Sequence, residues 1–263
     1  MQSIEKIVLI GSGNVATELA VIFIQKGLKI VQVYSPNLKN AELLASASGC
    51  DATNILLDIR EDADLYIIAI KDDAISELNT GLRLPGKIVV HTSGSAGLNA
   101  IQNISDKTGV FYPLQTFTKN RQLDWKNIPV ILESSDASSL ESLKSLAGSI
   151  TDSVFEINSE NRKKLHLAAV FASNFINHIL GQSKGILGED IPFNILQPLV
   201  NETVSKAFEL GPDQSQTGPA KRRDMKTIEA HIELLKSFPE AEKTYRMFTD
   251  FIIRKYKDPG TND

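Results

Sequence analysis

The 263-residue sequence predicts an α/β doubly wound sheet followed by an all-helical C-terminal domain, and three observations carry that reading. Short β-branched runs alternate with helical patterns over the first 157 residues. A glycine-rich turn follows the first run at once. After Asn158 the texture becomes helical and no convincing strand remains. Alternating strands and helices build a mainly parallel sheet covered on both faces, so central strands read as continuous apolar runs.

In order, the strand candidates are KIVLI at 6–10, KIVQVY at 29–34, DLYIIAI at 64–70, KIVVH at 87–91, GVFYPL at 109–114 and PVILE at 129–133, with VFEIN at 154–158 as the last. Helical patterns lie between several of them, at Val15–Lys26, Leu38–Ser48 and Leu140–Ser149. Beyond Asn158 helices are expected over 160–183, 194–210, 221–237 and 239–257. The loop GPDQSQTGP at 211–219 breaks the second from the third, and Pro239 starts the fourth. This gives two domains, 1–158 and 159–263, with the tail DPGTND at 258–263 expected to fray.

Composition bounds the function. With 28 Lys+Arg against 32 Asp+Glu, 42% apolar and 23% charged residues, the chain reads as an ordinary globular protein. A net charge of −4 weakens a nucleic-acid reading, because phosphate contacts call for a basic face. Cys50 is the single cysteine, which excludes an internal disulfide and any multi-cysteine metal site, and no metal-ligating set is expected. The opening MQSIEKIVLIG carries charge and no signal-like apolar stretch, so a cytoplasmic address is expected. Leu165–Ser183 is free of Asp, Glu, Lys and Arg, yet it carries His166, Ser173, Asn174, Asn177, His178 and Gln182. That is too polar for a lone membrane span and suits a buried helix.

The turn GSGNVA offers Gly11-x-Gly13-x-x-Ala16 between a strand and a helix. Gly11 allows the tight turn, Gly13 allows close approach of a pyrophosphate, and Ala16 allows helix–strand packing. The helix N-terminus then presents free N–H groups to an anion, with Ser12, Asn14 and Val15 in the loop. A glycine turn of purely structural use has the same letters. Position at the first strand, with a second strand at the proper remove, favours a Rossmann-type dinucleotide site. At the end of the second strand, where an NAD site carries an acid, the chain reads Tyr34-Ser35-Pro36-Asn37 with Lys39 after it. Ser35, Asn37 and Lys39 can donate to a 2′-phosphate, which favours NADP over NAD, although a solvated turn uses the same residues.

Ligands of doubly wound sheets lie beyond the strands' carboxyl ends. Polar clusters there are Ile70-Lys71-Asp72-Asp73, His91-Thr92-Ser93-Gly94 and Tyr112-Pro113-Leu114-Gln115-Thr116-Phe117. In the second, His91, Thr92 and Ser93 either face cofactor or substrate, or cap the next element and satisfy a local carbonyl. On the uncharged helix, Lys163, His166, Ser173, Asn174 and Asn177 share an arc of about 100°, taking about 100° per residue. This stripe is expected to face an enclosed polar space, with hydrogen bonding to neighbouring helices as the alternative; His178 falls off it. A last cluster, Thr217-Gly218-Pro219-Ala220-Lys221-Arg222-Arg223-Asp224, is a turn at a helix start, suited to an anion or to plain solvation.

Taken together, GSGNVA (11–16), HTSG (91–94), FYPLQTF (111–117), HLAAVFASNF (166–175) and TGPAKRRD (217–224) resemble the Rossmann-type NADP oxidoreductases related to pyrroline-5-carboxylate reductase, within the wider 6-phosphogluconate and 3-hydroxyacid dehydrogenase group. The resemblance covers nearly the whole chain. It implies an NADP-binding first domain and C-terminal helices that form the substrate wall and a homodimer interface. It also implies hydride transfer between NADP(H) and a small carbonyl, imine or hydroxy-acid substrate. Related enzymes use a Lys and an Asn on the equivalent helix, matching Lys163 and Asn174. The family typically has glycine where this chain has Arg223. His166 is the first choice of proton donor, because an imidazole's ordinary pKa of about 6.5 suits acid–base work near neutrality. Asn174 would orient substrate, Thr217 and Arg222 would hold an anionic group, and His91 would lie near the nicotinamide. A dinucleotide-binding sensor or assembly module without turnover is the alternative.

Overall fold

A computed structural model of the protein describes residues 3–118, 121 and 123–256. The expected tail at 258–263 lies outside them. By contact the chain divides into two compact units, Met1–Ser173 and Asn174–Asp263.

The first unit is built on an eight-stranded sheet: β1 (Lys6–Ile10), β2 (Lys29–Tyr34), β3 (Asp51–Thr53), β4 (Leu65–Ile68), β5 (Ile88–His91), β6 (Lys107–Pro113), β7 (Val130–Ser134) and β8 (Val154–Glu156). Their order is β3-β2-β1-β4-β5-β6-β7-β8, parallel throughout except for the β6–β7 pair. Helices α1 (Asn14–Gln25), α2 (Leu38–Ser48), α3 (Asp72–Gly81) and α4 (Ala137–Ile150) connect strands, and α5 (Ser159–Ala169) closes the unit. Alternation along β1 explains why its apolar run is unbroken. Ile7 and Leu9 enter one core with Phe23, Phe111 and Leu143, whereas Val8 and Ile10 enter a second with Tyr66, Ile68 and Val89. The strand order reverses between β1 and β4, which opens a crevice at their carboxyl ends.

Two elements were not anticipated. Strand β3 has three residues, too few for an alternation to show. Helix α3 reads DDAISELNTG, whose polar start resembles a turn; it is held chiefly by Ile75 and Leu78.

The expected helix over 160–183 is interrupted: α5 passes into a π-helical stretch, Val170–Phe175, before α6 (Ile176–Leu187). A π turn carries i→i+5 bonds, so the regular rotation behind the polar arc does not continue through it. The expectation that this segment is buried also needs correction. Arg162 is the only buried residue of α5, α6 has none, and Leu167 is 60% exposed. A lack of charge shows that a surface disfavours water, not that the same chain covers it. Among the described residues no helix is long and apolar enough to cross a membrane.

The second unit holds α6, α7 (Gln197–Leu210), short α8 (Pro212–Ser215) and α9 (Pro219–Arg222), then α10 (Met225–Leu235) and α11 (Pro239–Lys255). Arg223 ends α9 in the left-handed region, at φ 54° and ψ 37°. The backbone accounts for the glycine that the resemblance implies here: the position asks for a left-handed residue, and arginine adopts it at a cost. Its Nη2 is also buried without a hydrogen-bond partner among the described residues. A left-handed non-glycine residue costs about 1–2 kcal/mol, and glycine returns part of that as chain entropy. Arg223→Gly is therefore expected to stabilise the protein by about 1 kcal/mol, seen as a higher urea midpoint at unchanged slope. A midpoint at or below wild type would contradict this.

Candidate active site

The site starts where β1 ends. Gly11 N–H donates to Tyr34 O at 2.8 Å, and Ala69 N–H donates to Ile10 O at 2.8 Å, so the ends of β1, β2 and β4 are drawn together. Gly11 has φ 127°, and a Cβ there would stand 2.2 Å from Ala69 O. No other residue fits. Gly13 then precedes α1 in extended conformation, with no side-chain cap and no acid in the first helical turn. No atom among the described residues lies within 4 Å of where a Gly13 Cβ would stand, so the loop faces open space. Asn14 Nδ2 donates to Phe117 O at 2.9 Å, tying the loop to the segment after β6.

Over this turn lies a cleft of about 720 Å³. Gly11, Ser12, Gly13, Asn14 and Val15 line it at the loop, Ser35 at the end of β2, Ile70 and Lys71 after β4, Thr92 and Ser93 after β5, and His166 on α5. The structure thus brings together in one cavity eleven of the residues selected from sequence. The others lie elsewhere. Asn37 caps α2, its side chain accepting from Asn40 N–H at 3.4 Å, and Lys39 is exposed. Neither lines the cleft, because the chain turns into α2 directly after Pro36.

His91 also departs from expectation. It is fully buried on β5, behind the cleft wall. Ser93 N–H donates to its Nδ1 at 3.2 Å, which leaves Nε2 to donate to Gly97 O at 3.3 Å. Burial, helped by the charge of Arg162, lowers its pKa to about 4, so it stays neutral and shapes the turn. Ser93 Oγ accepts from Ser95 and Ala96 N–H, at 3.1 and 2.9 Å.

How His166 reaches the cleft depends on Gly94 and Tyr112 of the sequence clusters and on residues that sequence reading passed over. Arg162, one helical turn earlier, is 0% exposed and ion-paired with Glu133 of β7. It also donates to Ala96 O, while Glu133 accepts from Ser159 N–H and Oγ at 2.9 and 2.8 Å. Ser159 Oγ in turn accepts from Leu98 N–H at 3.1 Å. This network around buried Arg162 pins the start of α5 to β7 and to the loop after β5. Gly94 then makes room for the imidazole: a Cβ there would stand 2.5 Å from His166 Nδ1 and 2.9 Å from its Cβ. Tyr112 completes the corner, its hydroxyl 3.0 Å from His166 Nδ1. Asp72, which accepts from Ser95 Oγ, and Glu77 add two carboxylates to the lining. In SENRKK, Arg162 reads as part of a solvated, charged helix start, and nothing in that pattern separates it from its neighbours.

Lys163 is exposed and does not line this cleft. Asn174 is exposed and opens the second unit, beyond the point where the π turn upsets regular helix spacing. Thr217 lines a separate cleft of about 280 Å³ inside the second unit, together with Ile179, Phe248 and Ile252. Arg222 is exposed and lines neither. Asp224 caps α10, accepting from Thr227 N–H at 3.2 Å and Oγ1 at 2.7 Å; these two bonds lower its pKa.

Comparison with known proteins fits this geometry. Residues 6–94 match a family model described as NADP oxidoreductase, coenzyme F420-dependent. A crystal structure described as a putative NADP oxidoreductase from Bacteroides fragilis is 40% identical, with 95% of this chain and 98% of that chain covered and a TM-score of 0.89. The chain belongs to this NADP oxidoreductase family. Residues 128–252 of the oxidoreductase match a second family model, described as a domain of unknown function. A structure of a protein from Thermotoga maritima is 25% identical over 93% of this chain and 99% of that one, with a TM-score of 0.71. The 1-pyrroline-5-carboxylate reductase of Streptococcus pyogenes shares the fold at 18% identity and TM-score 0.61, covering 96% and 98%. Comparison with curated proteins gave no match.

Proposed function

We propose that this oxidoreductase reduces a small imine or carbonyl compound with NADPH, and runs the reverse oxidation at the same place, with His166 as proton donor and acceptor. The observation that carries the proposal is that one cleft runs from the phosphate-type loop to the Tyr112–His166 corner. The chain fits the dinucleotide on its own geometry: Gly11 occupies a place that a Cβ would fill, and Gly13 and the uncapped start of α1 face open space without a nearby acid in the helix's first turn. Gly11, Ser12, Gly13, Asn14 and Val15 would hold the pyrophosphate, and Ser35 would meet the ribose, with Asn37 and Lys39 reaching the 2′-phosphate only by leaving their present positions. Thr92 and Ser93 would flank the reacting end.

When bound, the dinucleotide supplies the hydride. His166 supplies the proton that the substrate nitrogen or oxygen takes up, an imidazole N–H bond breaking as the new N–H or O–H bond forms. The substrate class is drawn from this chemistry and from the name of the Streptococcus pyogenes relative. Pairing with a second copy of the chain belongs to the same reading. Neither α6 nor α7 buries a residue, and Phe208 is 88% exposed with Val204 exposed on the same face of α7, the kind of apolar surface that marks an interface.

Calorimetry with NADPH, then a panel of cyclic imines, ketones with added amines and 2-oxo acids followed by NADPH absorbance, tests the proposal. Binding of NADPH and turnover of at least one compound by a dimer in sedimentation are expected. Binding with no turnover anywhere in the panel would favour a sensor.

A further inference from the structure

An imidazole that donates a proton must turn the same nitrogen to the cleft before and after it does so. We infer that Tyr112 is the positioning residue that holds His166 by Nδ1 and leaves Nε2 for the substrate; this rests on the role proposed for His166. The two side chains lie 3.0 Å apart, hydroxyl to Nδ1, and both line the cleft. Their rings meet edge-on at 70° with centroids 6.0 Å apart.

Both partners stand on rigid supports. Tyr112 lies in β6, in register with Ile131 of β7. His166 lies one turn beyond Arg162, which is fully buried and ion-paired with Glu133. Gly94 closes another side of the ring so tightly that even a methyl group would overlap it. The imidazole is thus bounded by backbone and by a phenol.

Phenol chemistry suits the task. A hydroxyl oxygen can accept, so Tyr112 can accept from Nδ1–H of the charged ring and from the same Nδ1–H of the neutral ring left when Nε2 gives up its proton. A carboxylate at that point would also accept, but its charge would favour the charged ring. Burial raises the Tyr112 pKa, with Asp72 adding to the rise and the charge of Arg162 opposing it, so the phenol keeps its proton.

The test uses ring-nitrogen NMR of the ¹⁵N-labelled full chain at pH 8, with His166→Ala identifying the signals. Wild type is expected to show Nδ1–H and unprotonated Nε2, and Tyr112→Phe to show a mixture of both tautomers. On whichever panel imine is turned over, Tyr112→Phe should lower kcat about 10- to 100-fold and leave the NADPH KM within about two-fold, since small misplacements of a reacting group cost that much. In a His166→Ala background it should add no further loss. Unprotonated Nδ1 in neutral wild type, an unchanged tautomer in Tyr112→Phe, or additive losses in the double variant would overturn the inference. A His166→Ala protein with wild-type turnover would instead overturn the functional reading, and the spectrum would still decide the pairing.

Discussion

Gly11→Ala is expected to destabilise the protein by about 2–6 kcal/mol and to remove measurable NADPH binding. Two costs add. At φ 127° the backbone sits where essentially only glycine is at ease, which costs an L-residue about 1–3 kcal/mol. The new Cβ would also stand 2.2 Å from Ala69 O and 2.8 Å from its carbonyl carbon. That neighbour is backbone, tied to β1 through Ala69 N–H, so it yields only by loosening the strand ends, an overpacking cost of about 1–3 kcal/mol. Gly13→Ala is the matched control. Its Cβ meets nothing within 4 Å, so the urea midpoint should stay near wild type while NADPH affinity falls. Wild-type NADPH affinity in Gly11→Ala would show that the cleft is not the phosphate site.

The contrast between these glycines also shows how far the sequence could be read. Both letters of GSGNVA point to a phosphate loop, and β1, β2 and α2 fall at the bounds that apolar runs and capping letters suggest. The core explains why: β1 is buried on both faces, so its composition allows little else. Helix α3 was hidden because most of its surface faces water and few apolar positions remain to show a period. The π turn was hidden because helix geometry was extended at a constant rotation through Val170–Phe175, and that step joined Asn174 to His166 on one arc.

Long-range polar pairs were the other hidden layer. Nothing local to Arg162 announces Glu133, twenty-nine residues away in sequence, and nothing local to Tyr112 announces His166. Gly94 was read from the sequence as part of HTSG, but its use, as the gap that admits His166, belongs to packing between β5's end and α5. His91, the histidine of that motif, supports the turn from inside the core.

His166 carries the central claim. Removing a well-placed general acid costs about 10²–10⁴ in rate, whereas in the proposed reading the cofactor would be held by the loop at Gly11–Val15. The deciding measurement is the single-turnover rate of NADPH oxidation with a saturating panel imine, wild type against His166→Ala, alongside the NADPH Kd of each. A rate lower by about 10²–10⁴ at an unchanged Kd is expected. Equal rates for the two proteins would contradict the account.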